Sequence, residues 1–181
     1  MKFFILAGGY GKRAEPLSLF KPKPAFPLNG RPLLALLLEQ LRALGCTEGF
    51  VNLHHLGDQV VAAAGDGGGI RFIREGELSG SRVLQQALPY FSRQLLAVNG
   101  DTFMEIPLAE LAQEAADPQV DGVLLARPDR SGRYARLLCA GDDFLGIAAP
   151  PGPHAAPGLM YAGAALFKKS AVAMIDQDNF F

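Results

Sequence analysis

Short apolar runs, each stopped by glycine or a polar turn, alternate along the chain with stretches whose leucines and alanines fall three and four residues apart. Residues 3–7 read as a strand buried on both faces, as in a parallel sheet, "LLAVNGD" at 95–101 as another buried strand, and "GFVNL" at 49–53, "IRFI" at 70–73 and "GVLLA" at 122–126 as further strands. Between them Leu33, Leu34, Leu37, Leu38, Leu41 and Leu44 recur at helical spacing, with Pro32 at the first helical position and Gly45 closing the helix. "GDQVVAAA" at 57–64, residues 81–88 and "LAELAQEA" at 108–115 read as further helices, the second ended by Pro89. This alternation predicts an α/β fold: a three-layer α/β/α sandwich around a Rossmann-like, mostly parallel sheet. After residue 126 the helices stop. "YARLLCA", "FLGIAA" and "LMYAGAALF" read as successive strands, a small mixed β extension, and "PPGPHAAPG" at 150–158 is a Pro/Gly loop with the composition of a mobile segment.

Composition narrows the classes. A length of 181 residues suits a single domain spanning 1–181. A formal net charge of -1, with 19% charged residues, gives no global basic field, which argues against nucleic acid and membrane as partners; a homo-oligomer is compatible with it. Cys46 and Cys139 stand in no metal-ligand spacing and suggest reduced thiols. The first apolar run, five residues long, is too short for a signal peptide or a membrane span, so a cytoplasmic location is expected.

Charge is concentrated locally. The first 31 residues hold Lys2, Lys12, Arg13, Lys21, Lys23 and Arg31 against one acid, Glu15. Gly8, Gly9 and Gly11 follow the first strand, where ligands of open α/β sheets sit, and a glycine loop can turn its N–H groups toward anionic oxygens. Three phosphate-binding patterns compete for it. A P-loop would need glycine where Leu6 stands and Ser or Thr where Arg13 stands. The dinucleotide fingerprint is met by Gly9, Gly11 and Ala14, but it requires a helix to start inside the motif, which Pro16 and Pro22 oppose, and an acid at the tip of the next strand, which "VNLHH" lacks.

The third pattern is longer. Leu6, Ala7, Gly8, Gly9, Gly11, Arg13, Pro16, Leu17, Ser18, then Pro22-Lys23-Pro24, then Pro27, Gly30 and Pro32 resemble the signature of the sugar-1-phosphate nucleotidyltransferases, nearest to the mannose-1-phosphate guanylyltransferase and N-acetylmuramate 1-phosphate uridylyltransferase types. "VNLHHLGDQV", "LLAVNGDTF" and "YAGAALF" extend the resemblance over most of the chain. It implies the nucleotide-diphospho-sugar transferase fold and the conversion of an NTP and a sugar 1-phosphate to an NDP-sugar and pyrophosphate, with GTP and a mannose 1-phosphate-like sugar favoured. It also implies roles. Arg13 would grip the departing β- and γ-phosphates, Lys23 would sit between the α-phosphate and the sugar phosphate, and Asp101 would bind Mg²⁺. Leu6, Ala7, Gly8, Gly9, Gly11, Lys12, Asn99 and Gly100 would line the substrates.

Several positions depart from the family pattern. Lys12 replaces a threonine, Arg82 in "LSGSRVL" stands where a glycine admits the nucleotide, and Ala135 stands at a position often glycine beside the sugar. Arg82 could fill the base pocket or swing outward. No counterpart of the family's W-x-D-x-G-T segment, whose aspartate completes the metal site in many members, is found, and the expectation is of a domain lacking that C-terminal segment; "DNFF" suggests apolar surface there. A non-catalytic or truncated relative that binds nucleotide or NDP-sugar is therefore the alternative reading. His54 and His55, adjacent at a strand end and so expected to point opposite ways, read as packing or hydrogen-bonding residues, since the chemistry needs no base. Tyr10 reads equally as a cover for the ligand or as an exposed loop aromatic.

Overall fold

The computed structural model describes residues 1–152 and 156–175. Four strands form the parallel half of the main sheet: β1 (Lys2–Leu6), β4 (Glu48–Leu53), β5 (Ile70–Arg74) and β6 (Gln94–Asn99), in the spatial order β5-β4-β1-β6. Two short strands, β2 (Pro27–Leu28) and β3 (Arg31–Pro32), make a separate hairpin. Beyond β6 the sheet continues through β7 (Gly122–Asp129), β8 (Arg136–Ala140), β9 (Asp143–Ala148) and β10 (Gly158–Lys168). There β10 runs antiparallel to β6, β7 and β8. The mixed extension expected after residue 126 lies in this second half, which β7, read as a strand before it, also joins.

Successive side chains explain why the runs carry no polar alternation. Phe3 and Ile5 of β1, with Leu96 and Val98 of β6, enter one core; Phe4, Leu95 and Ala97 enter the other. The first core is closed by α1 (Leu33–Ala43), α2 (Gly57–Ala63) and α3 (Leu108–Glu114) through Leu34, Leu37, Leu38, Leu41, Val60 and Leu111. The second is closed by the segment Gly80–Tyr90, through Val83, Leu84 and Ala87, and by α4 (Lys169–Ala173) through Val172. Helical layers on both faces make the three-layer sandwich.

Two elements differ from expectation: α1 begins at Leu33, so Pro32 lies in β3 and caps the helix instead of filling its first position. The segment Gly80–Tyr90 is a 3₁₀ helix rather than an α-helix, and it runs through Pro89 instead of stopping before it. An α-helix would place the proline ring against the carbonyl four residues back, and the tighter turns avoid that clash. The loop at 150–158 falls partly, and "DNFF" wholly, outside the described residues. No helix among the described residues is long and apolar enough to cross a membrane.

Candidate active site

Because β1, β4, β5 and β6 are parallel, the loops leaving their carboxyl ends gather along one edge. The ladder of β1 and β6 ends at Leu6 opposite Asn99, and the Gly100 N–H donates to the Leu6 carbonyl at 2.9 Å. The glycine loop and the "NGD" turn therefore leave the sheet side by side. Between them lies a cleft of about 370 Å³. A larger, shallow depression of about 1370 Å³, around Lys2, Thr47, Arg93 and Lys168, lies at the amino ends of the strands, away from both loops. Its position argues against it as the substrate site.

Each glycine of the loop has its own physical reason. A Cβ on Gly8 would come within 2.8 Å of the Asn52 amide nitrogen, so Gly8 is needed by its protein neighbours. Gly11 has φ +67, in the left-handed region that side chains resist. Gly9 lines the cleft, yet a Cβ there would meet nothing within 4 Å, so no protein neighbour requires it to be bare. The N–H groups of Gly9, Tyr10 and Gly11 carry no intramolecular bond among the described residues. Those of Ala7 and Gly8 are taken by Asn52 Oδ1 at 2.6 and 3.2 Å. After Gly11 the chain makes a single 3₁₀ turn, Lys12–Ala14, and no α-helix starts inside the motif, which removes the dinucleotide reading.

The proline-rich segment is ordered. Lys23–Ala25 forms a 3₁₀ turn with Pro24 buried, and the Phe26 N–H donates to the Lys23 carbonyl at 2.9 Å. Two side chains tie the preceding residues to the body of the protein: His55 Nε2 donates to the Ser18 carbonyl at 2.7 Å and Gln59 Nε2 to the Phe20 carbonyl at 3.0 Å. With its backbone held, Lys23 crosses the cleft and its Nζ donates to Asp101 Oδ2 at 3.1 Å. Residues 78 positions apart thus form a partly exposed ion pair in the lining of the cleft.

Of the residues singled out in the sequence, Leu6, Ala7, Gly8, Gly9, Gly11, Lys23, Asn99 and Asp101 line the cleft together. Lys12 is exposed and outside it. So is Arg13, whose guanidinium carbon lies 5.5 Å from the centre of the Tyr134 ring. Gly100 packs beneath: a Cβ there would lie 3.0 Å from Ile5 and 3.1 Å from the Leu6 carbonyl oxygen. Arg82 is exposed and absent from the cleft lining, while Gly80 and Ser81 face the cleft, so the arginine swings outward.

The histidines are hydrogen-bonding residues, as expected, but they do not diverge. Strand β4 ends at Leu53, so strand alternation no longer applies, and both rings meet Tyr10, His54 edge-on at 5.3 Å and His55 tilted at 5.5 Å. The Tyr10 hydroxyl bonds His54 Nε2 at 2.9 Å. Sequence reading missed Asn52, Glu75 and Tyr161. A single asparagine amid the buried residues of β4 is the available signal, because a buried amide demands partners. Tyr161 lines the cleft from β10, and burial pushes its phenol above the usual range.

Among the described residues no group of three acidic, histidine or cysteine side chains could cage a metal ion. Asp101 is the only acid among the described residues that lines the cleft. A lone carboxylate facing a loop with free N–H groups fits a Mg²⁺ completed by phosphate oxygens and water, and does not fit an all-protein metal cage.

The sequence model of the MobA-like NTP transferase domain matches residues 3–169. The chain is 37% identical over 123 residues to an N-acetylmuramate alpha-1-phosphate uridylyltransferase of Neisseria meningitidis, covering 64% of this chain and 53% of the relative. It is 30% identical over 148 residues to a mannose-1-phosphate guanyltransferase of Pichia angusta, covering 76% and 41%. The chain thus spans about half the length of these curated relatives. Crystallographic HddC of Yersinia pseudotuberculosis superposes with a TM-score of 0.82 at 24% identity, covering 99% of this chain and 81% of that one.

Proposed function

The chain belongs to the MobA-like NTP transferase domain family, and from that premise we propose that it is a sugar-1-phosphate nucleotidyltransferase of the guanylyl or uridylyl type. An oxygen of the sugar phosphate attacks the α-phosphorus of the NTP; the new P–O bond forms as pyrophosphate leaves with the electron pair of the old one. The nucleophile is already an anion, so the protein's task is to hold two mutually repelling anions in line and offset their charge. That need accounts for the residues in the cleft.

In this reading the free N–H groups from Gly9 to Gly11 receive phosphate oxygens, and the bare Gly9 lets the nucleotide approach the backbone. Lys23, fixed by its 3₁₀ turn, exchanges Asp101 for the α-phosphate and the incoming sugar phosphate. Arg13 swings from Tyr134 onto the departing phosphates, where its planar fork suits two oxygens. Mg²⁺, held by Asp101 and substrate oxygens, supplies further charge neutralisation when bound. GTP with a mannose 1-phosphate-like sugar is the leading substrate pair, and UTP with an amino-sugar acid phosphate is the next, following the two relatives.

The observation that carries the proposal is the Lys23–Asp101 pair at 3.1 Å beside an open Gly9. The test is pyrophosphate release with GTP, UTP, dTTP, CTP and ATP, each with Mg²⁺ and a panel of sugar 1-phosphates. Turnover with any pair supports the enzyme. One observation favours the alternative of a non-catalytic binding relative: the cleft holds Asp101 without a second acid among the described residues. That reading predicts thermal stabilisation by an NTP with Mg²⁺, about 2.7 kcal/mol at 100 times Kd, and no pyrophosphate with any sugar.

A further inference from the structure

The backbone ladder joining β1 to β4 ends at Ile5 opposite Val51. Beyond it the Asn52 side chain takes over as acceptor: Asn52 is 4% exposed, and its Oδ1 receives the N–H groups of both Ala7 and Gly8. Its Nδ2 donates to Glu75 Oε2 at 2.5 Å. The other carboxylate oxygen, Oε1, accepts from the Ser79 N–H at 3.1 Å and the Ser79 hydroxyl at 2.5 Å. The Glu75 backbone is held too, its N–H by the Leu53 carbonyl at 2.9 Å and its carbonyl by His54 Nδ1 at 3.1 Å. The polarity of this chain of bonds has one solution. Backbone N–H groups must face the amide oxygen, which turns the amide nitrogen toward the carboxylate, which is left to accept from Ser79.

Both ends of the network belong to segments that line the cleft. Gly8, Gly9 and Gly11 line it at one end, Leu78, Gly80 and Ser81, beside Ser79, at the other, and a Cβ on Gly8 would lie 3.2 Å from the Leu78 side chain. We infer that Asn52 and Glu75 are positioning residues of the nucleotide site: their hydrogen bonds set how the phosphate loop sits against residues 78–81, and so the fit of the NTP. This rests on the nucleotide-binding reading above. Asn52 lines the cleft and Glu75 does not, and the effect requires no contact of either with the nucleotide. A satisfied buried polar network holds one geometry, and a half-satisfied one loosens it.

The test exploits polarity. Asn52→Asp sets a carboxylate against the Glu75 carboxylate and removes the donor between them. Glu75→Gln keeps the size but offers Ser79 or Asn52 an NH₂ group in place of an acceptor. The double variant Asn52→Asp/Glu75→Gln satisfies every partner again: the new carboxylate accepts from Ala7, Gly8 and the new amide, whose oxygen accepts from Ser79. Binding of GTP and UTP with Mg²⁺ is measured by calorimetry. The expected result is a loss of about 10–100-fold in nucleotide affinity for Asn52→Asp, a smaller loss for Glu75→Gln, and recovery to within a few fold in the double variant. The KM for the sugar phosphate should stay near wild type throughout. Failure of the double variant to recover, with a wild-type melting temperature, overturns the inference. If Asn52→Asp does not fold, Glu75→Gln and the double variant carry the same comparison. Amide exchange of Ala7 and Gly8 separates this idea from the functional reading: should the wild type bind no nucleotide, faster exchange of both amides in a single variant still supports the network, and unchanged exchange sinks it.

Discussion

The two halves of the sheet are built by different rules. In the parallel half, β1, β4 and β6 bury twelve of their seventeen residues, because α1, α2 and α3 cover one face and the 3₁₀ helix and α4 the other, while the edge strand β5 buries none. In the antiparallel extension, β8 buries Leu137 alone and β9 buries no residue, leaving Leu138, Phe144, Leu145 and Ile147 exposed. The cleft draws almost all of its lining from the parallel half, with Tyr161 and Phe167 of β10 as the contribution from beyond it. The contrast assigns separate tasks. The groups suited to a triphosphate hang from a doubly covered core that fixes their positions, whereas the extension presents surface and is held to the body through β10.

The sharpest way to break this division is at Asp101, the one acid among the described residues of the cleft lining. Asp101→Ala is expected to abolish Mg²⁺-dependent pyrophosphate release, and turnover within tenfold of wild type would remove Asp101 from the site. Lys23→Ala comes next. Loss of one preorganised charge typically costs about 10²–10³ in turnover, or roughly 2.7–4 kcal/mol, and an unchanged rate would leave Lys23 as a partner of Asp101 and nothing more. A stability comparison then addresses the scaffold. Leu96, fully buried in the parallel half, should cost about 2–5 kcal/mol when replaced by alanine. Leu145, 67% exposed on β9, should change stability by no more than about 0.5 kcal/mol on the same replacement. Urea unfolding of the two variants measures both, and equal losses would contradict the division.

Much of the parallel half was legible in the sequence, because a strand buried on both faces leaves a continuous apolar run and its covering helix leaves leucines at helical spacing. Lys23 and Asp101 could each be picked out by the motif around it. Their meeting could not, since it depends on β1 and β6 lying side by side. The 3₁₀ form of Gly80–Tyr90 escaped for a local reason: its buried residues Val83, Leu84 and Ala87 also suit an α-helix. Asn52, Glu75 and Ser79 escaped for a topological one. Each is an ordinary polar residue in its own stretch, and only the pairing of β4 with β1 and β5 makes them a network. The outward course of Arg82 likewise depends on which residues of the 3₁₀ helix turn to the core, with Ser81 and Val83 buried on either side of it.

The smallest effect is expected where the extension meets the loop, at the turn from β7 to β8. The Asp129 carboxyl is held below its usual range, chiefly by the Ser131 hydroxyl at 2.6 Å and also by the Ser131 and Tyr134 N–H groups. A carboxyl lowered in the folded state contributes order that is fully present above its unfolded value of about 4 and is lost as pH falls through the lower folded value. This turn carries Tyr134, the ring beneath Arg13. Acidification below about pH 4 should therefore lower the protection of the Ser131 and Tyr134 amides, measured against the intrinsic exchange rate at each pH, before the core amides of β1 and β6 lose theirs. Asp129→Ala should produce the same local loosening at neutral pH with little change in global unfolding. Nucleotide affinity should fall by no more than a few fold, because a cation–π contact at an exposed site is worth about 0.5–1 kcal/mol. Simultaneous loss of protection across β1 and β6 would show instead that the extension and the core unfold as one unit, and the division between the halves would fail at its seam.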